Sequence, residues 1–412
     1  MLQSAVGLVV LVAAAWILSE KRRAVRLRTI VVGIVLQLAA AFLFLKAPFI
    51  KNAFLSLNRL VMALDTATTA GTSFVFGFLG GASVPFAETG MGSTFVMACK
   101  ALPLILVVSA LSSLLFYWRV LPCIVRVMSR LLQKTMDIGG ALGVSVAANI
   151  FVGMVEAPLF IRPYLADMTR SELFTVMTAG MATVAGTVMV LYASFLQNVI
   201  PDALGHILAA SIISAPAAIL VAQVMVPETG KLTDGEIVPP NPAAGSMDAI
   251  TRGAADGMGL LINVIGTLIV LVAMVSLADQ ALGLLPDVQG APLTLPRLFG
   301  FAFRPLVWVI GVPWAESETA GMLMGTKTAL NELLAYLEMS RLPEAALSER
   351  SRLIMTYAMC GFANFGSLGI LVGGMGAMAP SRRQEIVALG MRSIVSGTLA
   401  TLMTGAVVGI FL

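Results

Sequence analysis

Residues 139–164 read GGALGVSVAANIFVGMVEAPLFIRPY. The stretch is apolar enough for a membrane interior, yet Gly153, Glu156 and Pro158 interrupt it. Each side keeps an arm of about 10–15 residues, whereas a helix needs about 20 to cross the hydrocarbon core. Two short arms with a polar tip describe a re-entrant helical hairpin that stops near mid-membrane. Irregular backbone at that depth is tolerated only against protein or a water-filled cavity. Residues 297–322, RLFGFAFRPLVWVIGVPWAESETAGM, carry the same pattern, interrupted by Gly311, Pro313 and Glu316. The two tips therefore mark a site in an all-α polytopic membrane protein.

Composition agrees. Of 412 residues, 58% are hydrophobic and 12% charged, against roughly 25% charged in a soluble domain. Mean hydropathy is +0.94. A soluble enzyme and a nucleic-acid-binding protein are excluded, because neither could clothe such a chain in polar surface. With 38 glycines, close helix packing through small residues is expected. Cys99, Cys123 and Cys360 are widely separated and match no metal or disulfide spacing. The first apolar stretch has its basic cluster after it rather than before it, so it reads as a retained helix and not a cleaved signal.

About eight crossings are expected, near 2–19, 29–47, 93–118, 172–198, 202–226, 254–284, 350–379 and 385–412. Lys21, Arg22, Arg23, Arg26 and Arg28 put the first loop in the cytoplasm, and Arg382 and Arg383 do the same for the last. Residues 1–118 then form N-terminal helices and a scaffold, 119–226 a first repeat, 227–252 a solvated polar loop and 253–412 a second repeat. Residues 338–352 read as a charged interfacial helix. Gly180-Met-Ala-Thr183 in one long span echoes Gly361-Phe-Ala-Asn364 in another. A hairpin followed by a broken helix, twice over, is the mark of inverted repeats with a site at their interface.

Glu156 and Glu316 each follow a break, at the start of a short helix. A charge at the bilayer centre costs at least ~2.5–3.5 kcal/mol, part of which a helix N-terminus offsets. They are expected to face each other across a wet pocket, accepting hydrogen bonds from a polar substrate or helping to hold a cation. Asn364 and Ser367 share a helix face, with Asn149 and Thr183 as polar groups of the first half. Unwound backbone beside them would expose carbonyl oxygens suited to Na⁺. His206 reads as a surface histidine. No H-E-x-x-H or G-x-S-x-G motif supports an intramembrane enzyme.

Several ordered motifs resemble the concentrative nucleoside transporter family. They are Gly71-Thr-Ser-Phe-Val-Phe-Gly77, PLILVVSALSSLL at 103–115, Ala148-Asn149-Ile-Phe-Val-Gly153 with Glu156-Ala157-Pro158, and Met168-Thr169 with Ser171-Glu172-Leu173-Phe174. Gly311-Val-Pro-Trp314 with Glu316, Lys327-Thr328 with Asn331-Glu332, and Cys360-Gly-Phe-Ala-Asn364 complete them. The resemblance implies a homotrimer in the bacterial inner membrane, importing nucleosides on a sodium gradient, with protons as the alternative coupling ion. It implies no cofactor besides the sodium ion. It assigns Glu316, Asn364 and Ser367 to the ribose and Gly153 and Glu156 to the first hairpin tip, with Glu156 on the base side. Val188 and Phe362 would pack near base and sugar, and Asn149, Val152, Thr183 and Val184 would hold sodium.

One departure stands out. Where the family's first tip usually reads Gly-Gln-Thr-Glu, this chain has Gly153-Met154-Val155-Glu156. Met and Val keep the volumes of Gln and Thr and remove their hydrogen-bonding groups. Each lost bond is worth about 0.5–1.5 kcal/mol, so an altered base preference is expected, or a related sugar-bearing solute.

Overall fold

The computed structural model describes the chain apart from residues 86–95, 198, 238–242 and 289; for residues 48–58 and 61 only the backbone is described. Among the described residues every regular element is helical save a lone bridge between Val288 and Ala291. The expected start of the third crossing at 93–95 lies outside the described residues.

The N-terminal part comprises α1 (Leu2–Ile17), α2 (Leu27–Lys46), α3 (Pro48–Phe76), α4 (Leu104–Tyr117) and α5 (Val120–Met136). The first-hairpin arm α6 (Gly140–Asn149) leads through turns at 150–155 to a short helical segment, Glu156–Leu159. Then come α7 (Arg170–Ala182), α8 (Gly186–Leu196), α9 (Ala203–Met225) and the long α10 (Ser246–Leu282). The second half holds α11 (Leu295–Val309), α12 (Ser317–Ala329), α13 (Glu332–Arg341), α14 (Glu349–Met359), α15 (Phe365–Met378) and α16 (Arg383–Phe411). Among the described residues six helices or helix pairs are long and apolar enough to cross a membrane; α1, with 16 residues, is shorter. The 29-residue α3 was not among the expected crossings.

The first hairpin closes where its sequence pattern places it. Gly140 and Tyr164, at its two ends, both pack against Gly235. The strap that holds them belongs to the 227–252 segment, part of which is pinned rather than freely solvated. Buried Glu172 accepts the Thr233 N–H at 2.9 Å and its hydroxyl at 2.7 Å. The same carboxylate closes a capping box with Thr169 at the start of α7, so both orphan donors there are satisfied.

The second hairpin lies elsewhere than expected. Helix α11 packs along α12, Gly300 against Met322, and it is strongly amphipathic, like α5 before the first hairpin. The tight reversal is at Leu330–Asn331, between α12 and α13. Thr326 on one arm donates to Glu338 on the other at 2.9 Å, and Asn331 caps α13 by accepting the Leu334 N–H. The tip is therefore Leu330-Asn331-Glu332, and α13 is a hairpin arm rather than part of a wet interfacial segment.

Two broken helices cross behind the hairpins. Between α7 and α8, Thr183 and Ala185 are extended, and the β-branched pair Thr183-Val184 at the break resists helical geometry. Between α14 and α15 the chain unwinds over 360–364, and Asn364 restarts it by accepting the Ser367 N–H at 2.7 Å. At the crossing, a Cβ on Gly361 would stand 2.8 Å from the Met181 carbonyl, so only glycine permits this approach. Thr178 and Ser396 share a buried hydrogen bond of 2.7 Å beside it.

Candidate functional site

A cleft of about 910 Å³, counting its open side, runs between the two hairpin tips, the two breaks and the wall made by α4 and α10. This is the size and place expected of a small-molecule site. Gly153, Met154, Val155, Glu156, Val188, Phe362, Asn364 and Ser367 all line it. Tyr192, Asn331 and Glu332 line it too.

Glu316 does not. Its carboxylate accepts the Ser348 N–H and hydroxyl, both at 3.1 Å, at the start of α14 and outside the cleft. The acidic group that faces the cleft from the second half is Glu332. It is buried at the tip of α13, where a first-turn carboxylate is favoured by the helix dipole. One oxygen accepts the Tyr192 hydroxyl at 2.6 Å and the other the Asn364 amide at 2.9 Å. Because Asn364 also caps α15, the helix restart and the carboxylate fix each other's positions.

Glu156 opens onto the other end of the cleft, folding back so that a Cβ on Gly153 would lie 2.9 Å from its carboxyl carbon. Met154 and Val155 are held by glycines of both halves. Met154 packs on Gly180, and Val155 sits against Gly374. The first tip thus presents one carboxylate amid apolar surface, while the Glu332 end is densely polar.

Beside the cleft, two helix C-termini converge. The Thr183 hydroxyl lies 3.0 Å from the Ala179 carbonyl at the end of α7 and 3.3 Å from that of Asn149 at the end of α6. Gly186 N–H takes the Phe151 carbonyl at 3.0 Å. Asn149, Thr183 and Val184 are buried and Val152 partly so. The carbonyls converging from two helix C-termini make an electronegative spot. The second half treats its matching end differently: buried Lys327 donates to the Ala358 carbonyl at the end of α14 and to Thr401, at 3.3 and 3.2 Å. Among the described residues no lysine or arginine does this for α6 or α7. No cluster of three or more His, Cys, Asp or Glu suited to a metal occurs among them either.

His206, expected at the surface, packs edge-on against Tyr357 and shares a 2.9 Å hydrogen bond with its hydroxyl. Cys99, Cys123 and Cys360 are free thiols.

Comparison with known proteins follows this geometry. Residues 6–79 and 206–409 match the N- and C-terminal parts of the Na⁺ dependent nucleoside transporter family, and 98–198 match a "Nucleoside recognition" family. The nucleoside permease NupC of Helicobacter pylori is 35% identical, over 99% of this chain and 97% of that protein. The chain belongs to the Na⁺ dependent nucleoside transporter family. An uncharacterized transporter of Haemophilus influenzae is 40% identical, over 100% of this chain and 98% of its own. The structure of CNTnw in an inward-facing substrate-bound state superposes with a TM-score of 0.89 at 38% identity, covering 100% of this chain and 98% of that one. Family membership makes the chain a multi-pass membrane transporter with sodium as its coupling ion, and not an enzyme.

Proposed function

We propose that the chain imports nucleosides in symport with sodium, binding the sugar at Glu332, Asn364 and Ser367 and the base toward Glu156. The observation that carries this is the cleft itself, in which Glu332, Asn364 and Ser367 form one polar cluster facing Glu156 between two broken helices. Ribose offers hydroxyl donors, and a buried carboxylate with a capping amide is the acceptor set that suits them. Sodium sits where α6 and α7 end, among Asn149, Val152, Thr183 and Val184. The contrast with the second half supports that assignment, since Lys327 supplies a tethered cation at the matching helix end and the first half must take one from solution. The ion orders the first hairpin tip and so couples its own binding to that of the nucleoside. One cation moving inward through 100 mV supplies about 2.3 kcal/mol, enough for roughly fifty-fold accumulation.

The repeats that frame the site run from α5 to α9 and from α11 to α16, related by the order amphipathic helix, hairpin, broken helix, long helix. The working form is a homotrimer in the bacterial inner membrane. The exposed apolar wall of α10, only 11% buried in its most hydrophobic window, is consistent with lipid or neighbouring subunits covering it. The site-bearing repeats move across the membrane against that wall.

Uptake into proteoliposomes tests the reading. Accumulation of a nucleoside above its external concentration is expected with sodium outside, and its loss when choline replaces sodium at fixed pH. Accumulation unaffected by choline would overturn sodium symport. A change of nucleoside ranking in the double variant Met154→Gln/Val155→Thr tests the altered base preference.

A further inference from the structure

The long helix α10 forms one wall of the cleft. Along α10, Leu260, Asn263, Val264, Thr267, Leu268 and Leu271 face the cleft. Four of these are aliphatic, as expected of a helix in hydrocarbon. Asn263 and Thr267 are not, and they lie near the middle of the helix, one turn or about 6 Å apart.

A polar side chain at that depth needs a partner, and in membranes it marks either helix–helix contact or a substrate path. No hydrogen bond reaches the Asn263 amide or the Thr267 hydroxyl among the described residues. Other helical threonines, Thr175, Thr328 and Thr356, return their hydroxyls to the carbonyl four residues back; Thr267 does not. Both groups are therefore unpaired and open to whatever fills the cleft.

Their level along the cleft is fixed by neighbours. The Thr267 methyl lies against Gly366, between Asn364 and Ser367 at the sugar end. Asn263, one turn before Thr267, lines the same cleft as Met154, Val155 and Glu156 of the first hairpin tip. Asn263 thus opens on the cleft one turn from the sugar end, in the space left for a base. At that tip, Met154 and Val155 offer a base only apolar surface.

We propose that Asn263, supported by Thr267, reads the hydrogen-bonding edge of the nucleobase, so that base selection in this chain resides on α10 and not on the hairpin tip. A carboxamide presents one donor face and one acceptor face side by side, the pairing that recognises the amino group and ring nitrogen of adenine. The 4-amino group and ring nitrogen of cytosine offer the same pattern. Since α10 belongs to the wall and not to the repeats, the contact exists only while the repeats lie at this level. Movement of the repeats breaks it.

The inference rests on the nucleoside reading, and calorimetry on purified protein with sodium separates the two. Adenosine is compared with purine riboside and cytidine with pyrimidin-2-one riboside, each analogue lacking only the exocyclic amine. In the native chain the parent nucleoside should bind about 2- to 12-fold tighter than its analogue, the worth of one hydrogen bond. In Asn263→Leu that gap should close, the parent losing both bonds and the analogue only the one to its ring nitrogen, so that the parent loses more affinity than the analogue; Asn263→Ala serves if the leucine variant does not fold. No gap in the native chain, or a gap that survives in the variants, overturns the proposal. A native chain that binds none of the four compounds defeats the nucleoside reading itself.

Discussion

Replacing Glu332 by Gln separates the structural assignment of the sugar site from the one read off the sequence. The carboxylate is only 4% exposed and accepts one bond on each oxygen, from Tyr192 and from Asn364. A glutamine keeps one acceptor and turns an N–H₂ toward whichever donor faces the other position. Hydrogen bonds to a charged group are worth about 1.5–3 kcal/mol, so losing that charge should weaken nucleoside binding about 10- to 150-fold. Glu316→Gln alters only the contacts with Ser348, outside the cleft, and should change affinity by less than about twofold. Calorimetric titration of each purified variant at saturating sodium measures both, and a thermal scan verifies folding. Near-native binding by Glu332→Gln, or an equal loss in Glu316→Gln, would refute the argument.

Other outcomes follow from the same geometry. Thr183→Val should raise the sodium concentration for half-maximal uptake, by about 2- to 12-fold for one lost hydroxyl ligand, while Thr183→Ser leaves it near native; sodium titration of uptake distinguishes them. Gly361→Ala forces a methyl against the Met181 carbonyl and Thr401 and should cost about 1–3 kcal/mol as overpacking. Gly369→Ala, with open space around it, should leave the thermal midpoint unchanged. Glu20 is held below its ordinary carboxylate pKa of 4.5, first by its hydrogen bond from Arg170, against partial burial, and with help from the charges of Arg170 and Arg392. A lowered folded pKa stabilises above the unfolded value and loses that contribution as pH falls through the folded one. Glu20→Gln should therefore lower the thermal midpoint at neutral pH, and the gap should close as the pH drops below the carboxylate range.

The first hairpin was legible because Gly153, Glu156 and Pro158 interrupt an otherwise apolar stretch, and nothing nearby imitates that pattern. The second was displaced by one helix. Pro305 lies within the amphipathic α11 and Pro313 just beyond its end, and the helix's apolar face looks like a hairpin arm, so the break at 311–316 passed for a tip. The true tip is surrounded by Lys327, Glu332 and Glu338, a density of charge that reads as a wet connection until burial is known. The signal was present in Lys327-Thr328 with Asn331-Glu332, and in the caps Thr169 and Ser348. Counted back from those caps, Glu332 falls near the position of Glu156, whereas Glu316 lies a further helix away. The unpaired Asn263 was invisible for a different reason: one amide in a long apolar helix means nothing until the cleft is seen to open on it.

The bond from Tyr192 to Glu332 joins a phenol of α8 to a carboxylate of α13. Either segment alone would hold half of this contact, an acid without its donor or a donor without its acid. The two segments must therefore stay together for this contact to persist.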